Sequence, residues 1–186
     1  MSLTNQQKTT LLQVARQSIQ HGLMYGKALD INVNDYEVEL REKRATFVTL
    51  EKAKQLRGCI GTLTAILPLV SDVAYHAHAA AFNDPRFPAL DEIELATLDI
   101  HISILSLPEP MTFDSEKDLI QQLRPNIDGL ILEEGWHKGT FLPSVWESLP
   151  EPQLFLQHLK RKAGLSPHYW SDTIKVERYT TDSFPP

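Results

Sequence analysis

Hydrophobic positions recur along this chain with two different periods. Leu11, Leu12, Ala15 and Ile19 fall three or four apart, the spacing of one face of an α-helix. Thr4 followed by Gln7 is a capping box that opens that helix, and Gly22 and Gly26 weaken it near its end. A second helical stripe runs through Leu69, Val70, Val73, Ala74, Ala77 and Ala81. Pro68 is well placed at its first turn, and Asn83-Asp84-Pro85 stops it, because proline cannot continue a helix and restrains the residue before it. Between these helices, residues 45–51 and 56–63 read as two strands joined by a turn over Glu51 to Gln55. The period of two is clearest from Leu98 to Ser106. There Leu98, Ile100, Ile102 and Ile104 alternate with Asp99, His101 and Ser103, which predicts a strand with one buried face.

The C-terminal part repeats the mixture. Ser115 with Asp118 caps a short helix to Arg124, and Asp128-Gly129 turns into Leu130-Ile131-Leu132. Glu134-Gly135 suggests a hairpin into Thr140-Phe141-Leu142. Glu151 to Ala163 reads as a helix closed by Gly164, and Ile174 to Tyr179 as a last strand. Helices and hairpin-like strands mix without a regular βαβ alternation. That predicts an α+β fold of mainly antiparallel sheets flanked by helices. The stretch Leu107-Pro108-Glu109-Pro110 is the best internal boundary, so residues 107–112 are expected to separate a larger from a smaller lobe.

Composition narrows the classes. A chain of 186 residues with 42% hydrophobic content suits one domain with a proper core. A net charge of −6 argues against a general nucleic-acid binder, which needs a basic surface to neutralise phosphates. The cluster Lys160-Arg161-Lys162 sits where cations favour the C-terminal end of a helix dipole. One cysteine excludes an internal disulfide. No basic leader with an apolar stretch opens the chain, and no run is long enough to cross a bilayer, so the cytoplasm is the expected location and no membrane partner is expected.

The candidate chemistry centres on Leu56-Arg57-Gly58-Cys59-Ile60-Gly61-Thr62. In a regular strand Arg57 and Cys59 share a face, and a guanidinium beside a thiol favours thiolate. Gly58 and Gly61 allow another backbone or a ligand to come close. Cys59 is thus a candidate nucleophile or a small buried hydrophobe. Asp84-Pro85-Arg86-Phe87 is the second candidate: Arg86 either clamps a carboxylate or phosphate or locks the turn with Asp84. The two segments are expected to converge on one cleft. His76 and His78 are two apart on a helix and diverge, no zinc spacing appears, and no phosphate-binding glycine loop is present, so no metal and no cofactor are expected.

The same residues carry a family resemblance. The segment 56–62 resembles the signature of the AMMECR domain family, whose microbial members are called AmmeMemoRadiSam system protein A. Phe47-Val48-Thr49-Leu50 precedes it as the family's lead-in strand does. Ala80-Ala81-Phe82-Asn83-Asp84-Pro85-Arg86-Phe87, Ile102-Ser103-Ile104-Leu105-Ser106, Leu142-Pro143 and Lys162-Ala163-Gly164-Leu165 resemble its later landmarks in order. The resemblance implies an AMMECR-type fold and, through the system's name, the company of a Memo-type protein and a radical SAM enzyme. It thus implies an accessory role that binds a partner or a small ligand. A Cys59-centred enzyme or thiol carrier is the alternative, and a nucleic-acid-linked regulator the weakest. Where the family carries His-Gly, this chain has Asp128-Gly129, and where the family is often acidic it has His101. If these two positions converge in space, an acid and a histidine have exchanged places and His101 is a candidate base; if they do not, no base-and-thiol pair is evident.

Overall fold

The computed structural model of the chain describes residues 3–185. The chain divides into two compact units, one running to Leu105 and rejoined by the tail from Asp182, the other spanning Ser106–Thr181. Among the described residues the strands form two four-stranded sheets, and the pairs with a recorded register are all antiparallel. The fold is α+β.

In the first unit, helix α1 (Asn5–Tyr25) opens on the Thr4–Gln7 capping box and ends on Gly26 in the left-handed conformation, as its sequence predicts. Two short helical turns follow, a 3₁₀ turn at Val33–Asp35 and α2 (Val38–Arg41). Strands β1 (Thr46–Lys52) and β2 (Gln55–Gly61) form a hairpin. Its two turn residues, Ala53 and Lys54, both take positive φ, the combination whose twist matches the flanking strands. Helix α3 (Leu69–Phe82), the short α4 (Glu92–Leu95) and β3 (Leu98–Leu105) complete the unit, with β8 (Thr181–Phe184) as an edge strand. The sheet order is β2-β1-β3-β8.

Alternation divides this sheet into two faces. Val48 and Leu50 of β1, and Ile100, Ile102 and Ile104 of β3, join Leu11, Ala15 and Ile19 of α1 and Val70, Val73 and Ala77 of α3 in one core. The opposite face carries Phe47, Thr49 and Glu51 of β1 with His101 and Ser103 of β3, all partly exposed. Two buried polar links pin the helices. The Ser18 hydroxyl of α1 donates to the Ala74 carbonyl of α3 at 2.6 Å. The Thr46 hydroxyl donates to Asp72 at 2.6 Å, and His76 meets the same carboxylate oxygen at 3.1 Å. Buried polar groups need such partners.

The second unit holds the sheet β4 (Glu109–Pro110), β7 (Lys175–Tyr179), β5 (Gly129–Glu134) and β6 (His137–Phe141), in that order. Helices α5 (Glu116–Gln122) and α6 (Pro152–Lys162) contribute Leu119, Phe155, Leu156 and Leu159 to its core with Leu130, Leu132 and Val176. Trp146 stacks on Phe155 with ring centroids 3.7 Å apart. Lys160 stands in the last turn of α6 with Arg161 and Lys162, the helix end that the sequence predicts for these cations. It is fully buried, paired with Glu116 and set 5.5 Å over the Trp170 ring. Its position belongs to the apolar stripe of α6, so the ammonium needs a carboxylate partner inside the unit.

Replacing the fully buried Ile102 by Ala is expected to lower unfolding free energy by about 2–5 kcal/mol. Ile93 is 84% exposed, so Ile93→Ala should change stability by no more than about 0.5 kcal/mol. Denaturant titration of the two variants checks the contrast.

Candidate functional site

The site is built on β2, an edge strand of the first sheet. Leu50 pairs with Gly58 but Glu51 pairs with Leu56, so Arg57 is an extra residue, a bulge. A bulge breaks the two-residue alternation of side chains. Arg57 therefore does not share a face with Cys59, contrary to the regular-strand expectation. Its guanidinium turns to α4, where Nε and one terminal nitrogen each donate to Glu94 at 2.9 Å and the terminal nitrogen also reaches the Pro88 carbonyl at 3.0 Å. Glu94 also closes the Asp91 capping box of α4 and meets Lys52. The Arg57 fork, then the Asp91 N–H and Lys52, lower the Glu94 pKa to about 2 against the opposing effect of burial.

Gly58 faces α3. A β-carbon there would run into the carbonyl oxygen of Ala80, so the absent side chain is what lets helix and strand approach. Gly61 is likewise covered, by the Phe47 ring and the Thr46 carbonyl.

The segments 56–62 and 84–87 meet by direct hydrogen bonds. The Cys59 N–H donates to Asp84 Oδ2 at 2.9 Å. Arg86 donates to the same carboxylate through Nε at 3.0 Å, a terminal nitrogen at 2.8 Å and its own backbone N–H at 3.1 Å. The terminal nitrogen also approaches the Cys59 carbonyl at 3.4 Å. The outward backbone groups of an edge strand are thus taken up by a carboxylate and a guanidinium rather than by another strand. Asp84 is 4% exposed. The Arg86 fork, then the Cys59 and Arg86 N–H groups, hold its pKa far below the usual carboxylate range although burial acts the other way.

Because its N–H points away from β1, Cys59 forms with Thr49 a non-hydrogen-bonded pair, the kind in which side chains lie closest. The Cys59 sulfur and Thr49 hydroxyl are 3.2 Å apart. Thr49 in turn pairs with His101 on β3. Cys59, Thr49 and His101 therefore form one row across three strands, on the face away from the helices, with Cys59 and His101 Cα atoms about 10 Å apart by ordinary antiparallel spacing. His101 Nε2 lies 3.7 Å from the Glu51 carboxylate. Thr49 and Glu51 escaped the sequence reading as site residues. Their alternation marked them as facing away from the core, but only the register shows which residues they stand beside.

Asp128 lies in the second unit and is fully buried. Its carboxylate accepts from the Arg124 backbone and side chain, and its carbonyl accepts from the Trp146 indole at 2.7 Å. It closes a turn. Among the described residues no group of three or more His, Cys, Asp and Glu is arranged to hold a metal ion, and no helix is long and apolar enough to cross a membrane.

Two outcomes follow from this geometry. Gly58→Ala should destabilise the chain by about 1–3 kcal/mol, since the added carbon meets backbone rather than a movable side chain; thermal or denaturant unfolding reads it. A depressed carboxylate pKa gives stability that is complete above the unfolded value and is lost as pH falls toward the folded one. The loss caused by Asp84→Asn or Glu94→Gln should therefore be full above about pH 4.5 and shrink below it. Denaturant midpoints across that range check the sign.

The comparisons agree with one another. The family model described as AMMECR1 matches residues 12–184. A protein of Methanothermobacter thermautotrophicus is 36% identical over 188 residues, covering 98% of this chain and 95% of the relative. A protein of Saccharolobus solfataricus is 39% identical over 176 residues, covering 91% and 77%. The crystal structure of an uncharacterized protein from Pyrococcus horikoshii superposes with a TM-score of 0.84 at 34% identity, covering 94% of this chain and 88% of that one. With its two antiparallel sheets, strand β2 and the Asp84–Arg86 turn bonded to it, this chain belongs to the AMMECR1 family.

Proposed function

We propose that the chain is an accessory, ligand-binding domain whose working surface is the exposed face of the first sheet around Cys59. The observation that carries this reading is the row Cys59–Thr49–His101, which stands on the side of the sheet away from the helical core. A hydroxyl, a thiol, an imidazole and the Glu51 carboxylate beside them make a polar, chemically capable patch.

The arginines support the same reading by what they do not offer. Arg57 gives Nε and one terminal nitrogen to Glu94 and Arg86 gives its fork to Asp84, while the other Arg57 terminal nitrogen is buried without a partner among the described residues. An anion taking either fork would have to displace its carboxylate, Asp84 being buried and Glu94 partly so, which is strongly unfavourable. The two arginines and the two glycines of the candidate set thus support the thiol rather than clamp a phosphate. Arg86 and Asp84 hold the strand, and Gly58 and Gly61 seat it. The Thr49 contact favours, as a second reading, a thiol that carries its ligand covalently. The partners remain those that the family's system name implies, a Memo-type protein and a radical SAM enzyme.

Ellman's reagent on the native protein tests the reading. The parent should release one equivalent of chromophore per chain without denaturant, and Cys59→Ser none. A parent thiol that reacts only after denaturation would show that Cys59 is a packing residue and would end this proposal.

A further inference from the structure

A cavity of about 490 Å³ lies in the second unit, between α5 and α6. We propose that it binds a neutral, hydroxyl-rich small molecule, a mono- or disaccharide. The site shares no residue with the row around Cys59 and does not depend on the thiol reading.

Helical spacing builds the walls. On α5, Glu116 with Ile120 and Lys117 with Gln121 are four apart, and on α6 so are Gln153 and Gln157. Residues at that spacing stand one above the other on a helix face. All six line the cavity, and Pro167 and His168 complete the lining. Its volume falls in the range of small-molecule sites. The carboxamides that face it are uncommitted. Among the described residues the side chains of Gln121, Gln153 and Gln157 make no hydrogen bond within the chain. Gln122, which does not line the cavity, donates to the Thr112 carbonyl at 2.9 Å.

Glu116 supplies the fixed point. Its Oε1 pairs with Lys160, which is fully buried and lies 5.5 Å over the Trp170 ring. The buried ammonium holds that carboxylate in place and balances its charge, leaving Oε2 to accept from a ligand. The lining then selects the ligand's class. A carboxamide both donates and accepts, as a hydroxyl does, so three carboxamides suit a molecule bearing several hydroxyls. Ile120 and Pro167 give an apolar strip for the C–H face of a sugar ring. Lys117 and His168 are both exposed, where water and salt screen charge. No uncompensated buried charge in the lining calls for an ionic ligand.

Proton–nitrogen correlation spectra of the isotope-labelled full chain read the site directly, because each glutamine side chain gives its own pair of amide signals. D-Glucose, D-galactose, D-mannose, maltose and lactose are titrated in turn to about 50 mM, well above a Kd on the order of 1 mM for so small a ligand. At least one should move the side-chain signals of Gln121, Gln153 and Gln157 saturably and leave those of Gln122 in place. Gln157→Leu should weaken that binding by about tenfold, with circular dichroism confirming the fold. If Gln157→Leu does not fold, Gln153→Leu, at an exposed position, decides in its place. The proposal is overturned if no sugar of the series moves these signals, or if the folded variant binds within about twofold of the parent. Glucose 1-phosphate is the counter-probe. Movement with it alone, lost in Lys117→Ala, overturns the neutral class in favour of an anion site.

Discussion

The hydrogen bond from the Cys59 N–H to the Asp84 carboxylate is the constraint on which the site depends. An edge strand has outward backbone groups that need partners. Here the 2.9 Å bond to Asp84 and the Arg86 approach to the Cys59 carbonyl supply them. Hydrogen bonds to a charged acceptor contribute about 1.5–3 kcal/mol each, and this carboxylate accepts four. The consequence for geometry matters as much as the energy. With its N–H turned outward, Cys59 must pair with Thr49 in the close, non-hydrogen-bonded manner, and its sulfur must stand on the exposed face.

The two arginines divide the labour around that bond. Arg86 balances the charge of Asp84 at the surface, its side chain half exposed. Arg57 sits in the bulge and ties β2 to α4 through Glu94. Two ion pairs thus fasten one strand to two different segments, the 84–86 turn and α4, while Gly58 lets α3 close over it. The motif around Cys59 is rich in unusual residues because four constraints meet on seven positions. The thiol and its neighbours across β1 and β3 are not among these constraints.

The alternation at 98–105 made β3 and its buried face legible, because a half-buried strand imposes strict alternation on its composition. The helices at 5–25, 69–82 and 152–162 were legible for the corresponding reason. The bulge at Arg57 was not, because one inserted residue leaves no trace in a seven-residue pattern and yet reverses which side chains share a face. Strand β8 was missed because Thr181-Asp182-Ser183 is polar and short, and α4 because four residues show no period. The cations at the end of α6 were legible, but the burial of Lys160 was not, because its partner Glu116 comes from another helix. Thr49 and Glu51 were visible as outward-facing residues of β1, but their neighbours are set by register, which depends on the whole hairpin and on β3.

Amide hydrogen exchange at Cys59 tests the central claim most directly. Although Cys59 lies on an edge strand, its amide should be strongly protected in the parent. Asp84→Ala should abolish that protection while the amides shared between β1 and β3 stay protected. A Cys59 amide that exchanges in the parent as fast as an exposed one would contradict the account, because the bond that aims the thiol would then not be formed.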